Sequence, residues 1–261
     1  MSRVEDAAPA EPLRHPLPRR PQRLATAVVE DLVDRVVAAE FQAGSTLPTE
    51  PTLCASYGVS RTVVREAIKA MEAMRLITVQ QGQGTTVRRF EDWDLLNPVV
   101  LAATVRHDDE LSILDDLVDV RRALEAQMAS QAAESASDEA LAALQAAMEK
   151  LRSVTSDPAQ YLQADLDFHD LIMAASENRL GRAVIRTINA QAFRSLRYVG
   201  DPTPKDCEVS NIAHQAVLDR LLARDAPGSA AAMDDHILGS WHRRRPKRAR
   251  SKPRGSAATR T

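Results

Sequence analysis

The stretch from Leu47 to Arg89 constrains the fold more than any other part of this sequence. A short helical pattern before Gly58 and a second one that opens at Ser60 predict a helix-turn-helix, because glycine permits a tight turn and serine caps helices. Two short β-prone runs follow, at 76–80 and 85–88, and a Gly-Gln-Gly turn joins them. They predict a hairpin, which gives the stretch the organisation of a winged helix.

The helix that opens at Ser60 presents two chemically different faces. Apolar residues recur at helical spacing on one side, and three cations with a neighbouring hydroxyl occupy the other. Such a face favours contacts with DNA phosphates and with guanine edges in the major groove. A solvated charged face explains the same stripe, but the turn before it and the glycine-rich hairpin after it favour DNA binding. The candidate DNA-binding residues on this face are Arg61, Thr62, Arg65 and Lys69.

Composition excludes two classes of protein. The sequence has no apolar run of about 18 residues, so no membrane span is expected. Its N-terminus lacks the apolar core of a secretory signal. The only two cysteines, Cys54 and Cys207, lie far apart. Reduced thiols in a cytoplasmic protein are the natural interpretation.

The net charge of −2 conceals a strong asymmetry. Residues 95–240 contain 13 Lys/Arg against 23 Asp/Glu, whereas residues 21–90 contain eight basic and seven acidic residues. We expect DNA to repel the acidic part, so it should point away from the duplex. Residues 243–254 contain eight basic residues and no acid. They favour either sequence-independent DNA attraction or a simple solubilising role.

The pattern predicts a mainly α protein with an N-terminal winged helix-turn-helix and a C-terminal antiparallel all-helical bundle. The helices are expected at 22–40, 49–56, 60–74, 99–105, 110–134, 138–154, 158–176, 179–199, 205–223 and 228–242. The first should bury Leu24, Val28, Leu32, Val36 and Val37. The predicted segments are a disordered N-terminus (1–20), a winged-helix domain (21–90), a linker (91–98), a helical domain (99–242) and a basic disordered tail (243–261).

Three predicted helices each turn a metal-ligand type of side chain toward an apolar interior. Asp165 and His169 are four residues apart and share a face. His214 and His236 lie on apolar stripes of the last two helices. One carboxylate and three imidazoles suit Zn²⁺, Ni²⁺ or a similar divalent ion. A single inward histidine is more often a hydrogen-bonded core residue, so the agreement of three helices carries the metal hypothesis.

Both halves of the chain resemble a known family. The pattern LPTE…YGVSRTVVREAIKAME…LITVQQGQGTTV resembles the winged helix of GntR-family bacterial transcription regulators. The resemblance implies DNA contacts at Arg61, Thr62 and Arg65, at Gly82 in the wing tip, and at the neighbouring Ser60. The sequence departs from the family where Pro51 replaces an arginine that follows the LPxE glutamate. The base preference is therefore expected to differ.

The second half resembles the effector-binding domain called FCD, of the FadR subfamily. The segments DVRRALEAQMASQAA, DLDFHDLIMAASENRL, NIAHQAVLDRLLARD and DDHI carry this resemblance. It implies that Asp165, His169, His214 and His236 hold a divalent metal, for which the donor set makes Zn or Ni the expected ion. It also implies that residues 99–242 bind an effector and dimerise.

A metal with open positions in a buried cavity would hold a small carboxylate or a hydroxy acid or sugar acid. Arg121 is the candidate effector-binding residue, since an R-x-x-x-E motif that resembles the family's places it one turn before Glu125. A salt bridge between these two side chains is an equally good interpretation. Arg194 and Arg197 are weaker candidates.

The leading functional hypothesis is a ligand-responsive transcription regulator. Resemblance to the family implies a repressor, while the sequence is also compatible with an activator. A cytoplasmic homodimer would place two recognition helices on a palindromic DNA operator. The competing hypothesis is a metal-dependent enzyme with an appended DNA-binding domain, because such metal sites can activate water. No general base with a recognisable motif accompanies the cluster, so an enzyme is not expected. A purely architectural DNA binder would leave the buried polar cluster unexplained.

Overall fold

The computed structural model describes residues 19–80, 82, 84–193, 196–200 and 202–245, with only the backbone of 19–22 and 196–197. The chain divides into two compact units between Trp93 and Asp94. No helix among the described residues is long and apolar enough to cross a membrane. The mainly helical fold expected from the sequence is confirmed.

The first unit is a three-helix winged helix. Its elements are α1 (Arg19–Val37), α2 (Glu50–Tyr57), α3 (Arg61–Ala73), β1 (Ile77–Gln80) and β2 (Gly84–Val87), followed by a single 3-10 turn at Phe90–Asp92. The strands pair antiparallel, with Ile77 opposite Val87 and Gln80 opposite Gly84. Buried apolar residues of α1 and α3 form the core of this unit.

The turn between α2 and α3 follows from two residues. Gly58 ends α2 at φ +63°, a left-handed conformation that glycine adopts without strain. Ser60 then caps α3, because its Oγ accepts from the Val63 N–H at 3.4 Å. Thr49 caps α2, and Pro51 lies in its first turn, where no backbone donor is needed. The helix-turn-helix geometry is thus encoded locally.

The second unit is a bundle around a long central helix. Its elements are α4 (Pro98–His107), α5 (Ser112–Ser135), α6 (Asp138–Ser153), α7 (Pro158–Ala175), α8 (Arg179–Ala192), α9 (Leu196–Val199), α10 (Pro204–Leu222) and α11 (Ala226–Arg244). Helix α5 packs against α11, α7, α8 and α10. Six helices of this unit have an N-cap side chain that accepts a backbone N–H, and Thr203 with Asp206 forms a full capping box at α10.

Several sequence expectations need correction. The helix expected at 179–199 is two helices, because α8 ends at Ala192, with Phe193 as its C-cap, and α9 begins at Leu196. The break expected at Pro227–Gly228 is instead the first turn of α11, where proline is tolerated. Helix α11 continues to Arg244, beyond the expected end at 242.

The buried stripe of α1 is also different from the expected one. Leu24 is 46% exposed and Val37 is only half-buried, while Val29 and Val33 are buried. The buried face is therefore wider than one stripe of four-residue steps, because Val29 and Val33 directly follow Val28 and Leu32 and are buried with them. Residues 1–18 and 246–261, where disorder was expected, lie outside the described residues.

Candidate functional site

The structure brings the four candidate metal ligands together inside the second unit. Asp165 and His169 lie one turn apart on α7, His214 on α10 and His236 on α11. One ligand atom from each lies within 4.8 Å of the others. The three histidines are buried and Asp165 is partly buried. Three helices thus converge on one point, as the apolar stripes of the sequence predict.

Two short contacts within this cluster fit shared ligation of one ion. His169 Nε2 lies 3.1 Å from His236 Nε2, and His214 Nε2 lies 3.1 Å from Asp165 Oδ1. Ligand atoms about 2.1 Å from a common ion would lie about 3.0–3.4 Å apart. The second contact lacks hydrogen-bond geometry, so His214 Nε2 has no hydrogen-bond partner among the described residues. An orphaned buried nitrogen beside a carboxylate is what a metal ligand would look like, and the residues fit a divalent ion.

The electrostatics of the cluster favour the protonation states that bind metals. Burial, reinforced by the neighbouring imidazoles, lowers the pKa of His236 well below its usual value, and burial also lowers the pKa of His214. Burial would raise the pKa of Asp165, but the histidines outweigh burial and lower it. At neutral pH His214 and His236 are therefore neutral and Asp165 is ionised, which are the forms that coordinate cations.

Glu125 of α5 orients one of the ligands. Its Oε2 accepts from His169 Nδ1 at 2.6 Å, and both side chains are buried. With Nδ1 as the donor, a neutral His169 keeps its Nε2 lone pair directed at the cluster. Sequence reasoning missed this partnership, because it considered Glu125 only as a neighbour of Arg121. The 44 residues between Glu125 and His169 leave no local signal.

Arg121 completes a buried chain of polar contacts. Its Nε donates to Glu125 Oε1 at 2.6 Å, and its Nη1 donates to the Tyr198 hydroxyl at 2.5 Å. Burial opposes the charge of Arg121, but Glu125 and Tyr198 outweigh burial and raise its pKa. Burial likewise opposes the charge of Glu125, but Arg121 and His169 lower its pKa to about 2. The salt bridge considered from sequence is therefore present, while Arg121 also lines a cavity.

A cavity of about 190 Å³ adjoins the cluster. Asp165, His169 and His236 line it, and so does Arg121. Sequence reasoning did not identify the other polar side chains of its wall, which are Tyr161, Asp206, Ser210, Ser240, Arg243 and Arg244. Arg194 and the side chain of Arg197, named from sequence, lie outside the described residues.

The candidate DNA-binding face is exposed in the first unit. Arg61, Thr62, Arg65 and Lys69 all project from α3 into solvent. Arg65 Nε donates to Glu50 Oε2 at 3.0 Å, and Lys69 Nζ contacts Glu66 at 3.0 Å. Glu50 therefore holds Arg65 against the start of α2, a role that the sequence pattern did not reveal. Ser60 is exposed, and its hydroxyl caps α3.

The wing is attached to α3 and ends in a constrained turn. Glu72 Oε1 accepts from the Val79 N–H at 3.2 Å, which fixes β1 to α3. Gly82 is exposed and has φ +79°, and an added Cβ would meet no atom within 4 Å. Its left-handed backbone favours glycine, although space alone would admit a larger residue.

We expect Gly82→Ala to weaken DNA binding several-fold through backbone strain alone. A left-handed alanine costs roughly 1–2 kcal/mol, which the turn can relieve by changing shape. Gly200→Ala is the matched control, because Gly200 has φ +68°, equally open surroundings and a place in the other unit. Titration of a selected DNA duplex should separate the two variants. Equal affinities would contradict a role for the wing tip.

Comparisons with known proteins agree with this two-unit organisation. The family described as bacterial regulatory proteins, gntR family, matches residues 24–87, and the FCD domain matches residues 116–239. The HTH-type transcriptional regulator LutR of Bacillus subtilis (strain 168) is 31% identical over 158 residues, which are 60% of this chain and 70% of that protein.

Two further matches extend over more of the chain. The galactonate operon transcriptional repressor of Escherichia coli (strain K12) is 24% identical over 218 residues, 83% of this chain and 94% of that protein. A solved structure described as "Lar controls the expression of the Listeria monocytogenes agr system and mediates virulence" has a TM-score of 0.51 at 16% identity. That match covers 84% of this chain and 94% of the other, and it shows a common fold.

Proposed function

Since this chain is a ligand-responsive DNA-binding regulator that belongs to the gntR family of bacterial regulatory proteins and carries an FCD domain, we propose that it senses a small carboxylate through a bound metal. The observation that carries this proposal is the convergence of Asp165, His169, His214 and His236 within 4.8 Å. Buried ionisable groups are costly unless they are paired or bound to a metal.

We propose that these four side chains hold a divalent ion, with Zn or Ni as the expected metal. Three imidazole nitrogens and one carboxylate oxygen form a donor set that suits either ion. When bound, the ion would supply a Lewis-acidic position for an anionic ligand. Glu125 would hold the His169 ring at the angle that ligation requires.

The effector we propose is a small carboxylic acid, including hydroxy acids and sugar acids. The cavity of about 190 Å³ ends at three of the candidate ligands, so an acid in it could reach the ion. Arg121 lines the same cavity, and its pairing with Glu125 and Tyr198 leaves guanidinium N–H donors free for a carboxylate. One relative is named for a galactonate operon, and galactonate is a sugar acid.

In the DNA-binding unit, we propose that Arg61, Thr62, Arg65 and Lys69 contact DNA from α3, with Ser60 at the helix start and Gly82 in the wing. A homodimer would place two such helices on a palindromic operator, in the bacterial cytoplasm. Relatives named as repressors favour repression relieved by the effector. For this, the dimer needs one arrangement that binds the operator and one that does not, and the effector must bind these two arrangements with different affinities.

The competing hypothesis of a metal-dependent enzyme is not supported, because the family and the named relatives are transcription regulators. One experiment distinguishes a regulator from an enzyme. Metal-loaded protein should shift its operator duplex in a gel, and an effector acid should change that shift without being consumed. Turnover of the acid would contradict the proposed function.

Removal of the metal is expected to lower the melting temperature of the purified protein. An ion held at a free concentration 100 times its Kd stabilises the folded state by about 2.7 kcal/mol, or roughly 5–10 °C for a chain of this size. Dialysis against a chelator, followed by Zn²⁺ or Ni²⁺, should lower and then restore the melting temperature. An unchanged melting temperature, with no metal detected in the purified protein, would contradict the metal site.

A further inference from the structure

Two arginines at the end of α11 line the same cavity as the candidate metal ligands. These are Arg243 and Arg244, and both lie beyond residue 239, where the match to the FCD domain ends. Arg243 is exposed and Arg244 is half-buried, whereas His169 and His236 are buried. The cavity therefore has a buried end at the cluster and a cationic end near solvent.

Neither of these arginines forms an ion pair with any residue that the structure describes. Arg243 Nη2 donates to Ser240 Oγ at 3.1 Å, and Arg244 Nε donates to the Ser240 carbonyl oxygen at 3.3 Å. The next residue differs, because Arg245 contacts Asp115 at 2.6 Å. Burial, together with the charge of Arg244, lowers the pKa of Arg243. Asp206, in the same cavity wall, acts on Arg243 through its charge without forming an ion pair, so the two adjacent cations have no contacting carboxylate among the described residues.

Tyr198 connects the two ends of the cavity. Its hydroxyl accepts from Arg121, and its ring stacks on Trp241 with the centroids 5.5 Å apart. The Arg244 guanidinium carbon lies 5.2 Å from the centroid of the same ring. These contacts hold Arg244 beside the cavity, so that less side-chain freedom would be lost when an anion binds.

The charges that line the cavity do not balance once a divalent ion is bound. Glu125 compensates Arg121. The ion, Arg243 and Arg244 together carry four positive charges, against two negative charges on Asp165 and Asp206. Asp206 is already engaged by the Thr203 N–H and hydroxyl at 2.9 and 2.6 Å. An excess of two positive charges remains, which a dianion would balance.

We infer that Arg243 and Arg244 form a second anion subsite, and that the effector carries two anionic groups, one at the metal end of the cavity and one at these arginines. This inference rests on the proposed function, because the first group needs the metal site. A volume below the roughly 300–1,000 Å³ of drug-sized pockets limits the ligand to a small metabolite. Short dicarboxylic acids and acids that bear a phosphate group share this chemistry.

The test compares acids with and without the second anionic group, which is a carboxylate in two pairs and a phosphate in the third; below, dianion denotes the member of each pair that carries both anionic groups, although a phosphate itself holds about 1.5–2 charges. The pairs are succinate with butyrate, malate with 2-hydroxybutyrate, and 3-phosphoglycerate with glycerate. With the metal-loaded full-length protein, calorimetry should give at least tenfold tighter binding for the dianion of one or more pairs. The Arg243→Gln/Arg244→Gln protein should lose at least tenfold for that dianion and less than twofold for its partner. The third pair separates phosphate from carboxylate as the second group.

Arg245→Gln is the matched control, because it removes a charge from the same helix end without altering the cavity wall. Its dianion affinity and metal content should equal those of the wild type. If monoanions bind as tightly as their dianion partners, or if the double variant keeps its dianion affinity, the second subsite is wrong and the proposed function stands. If the metal-loaded protein binds no acid of either kind, the subsite and the proposed carboxylate sensing both fail.

Discussion

His214→Ala is expected to abolish tight metal binding and with it the thermal stabilisation that the ion gives. His214 is fully buried on α10, and its Nε2 lies 3.1 Å from Asp165 Oδ1. Loss of an outer-shell partner alone lowers metal affinity about 10–100-fold, so loss of a ligand should cost at least about 100-fold. The same variant should also fail to respond to carboxylates.

The metal-free proteins should differ much less in stability. In the wild type, both ring nitrogens of His214 are buried without a hydrogen-bond partner among the described residues. Alanine would remove these unsatisfied groups, and that gain would offset part of the cost of the new cavity. The large difference should therefore appear only when metal is present.

The measurement pairs metal analysis with melting curves at several Zn²⁺ and Ni²⁺ concentrations. His242→Ala is the control, because His242 is exposed on the same unit and lies outside the cluster. That variant should behave as the wild type does. Full metal content in His214→Ala, or an equal metal-dependent rise in its melting temperature, would exclude His214 from the site.

The convergence of the four ligand candidates was predictable from sequence, whereas their supporting contacts were not. Asp165 and His169 share a face through their spacing, and the apolar stripes around His214 and His236 turn both inward. The contact of Glu125 with His169 depends on how α5 packs against α7. From sequence, Glu125 already had a partner in Arg121, four residues before it, so no second partner was sought. Their roles as ligands remain predictions.

The boundaries of the helices were predictable where a capping residue marks them. Ser60, Asp157 and Thr203 each accept a backbone N–H at a helix start. Neither glycine nor proline marks the end of α8 at Ala192, so the sequence predicts one continuous helix. Basic residues from 243 onward suggested a tail, but Arg243 and Arg244 belong to α11, where cations suit the helix C-terminus.

Arg65→Ala is expected to abolish the preference of the protein for its operator while leaving the fold intact. The Arg65 side chain is 64% exposed and contacts only an exposed carboxylate of Glu50, a kind of pair that contributes about 0–1 kcal/mol to stability. A bidentate contact to a base provides about 1–3 kcal/mol of discrimination. A homodimer would lose it in both half-sites, so affinity should fall roughly 30-fold or more.

The operator can be obtained by selecting duplexes from a randomised pool with the wild-type protein. Titration of that duplex and of a scrambled one then gives affinity and specificity for each variant. Arg35→Ala is the control, because Arg35 is a partly exposed arginine of α1 that is paired with Glu40 at 2.7 Å.

Lys69→Ala should give a different result from Arg65→Ala. If Lys69 neutralises a phosphate, its loss should weaken binding to both duplexes alike and reduce the salt dependence by about one unit per half-site. If Arg65 contacts a base, its loss should instead weaken binding to the operator more than to the scrambled duplex. Retained operator preference in Arg65→Ala would therefore contradict base recognition by α3, whatever the salt dependence of Lys69→Ala.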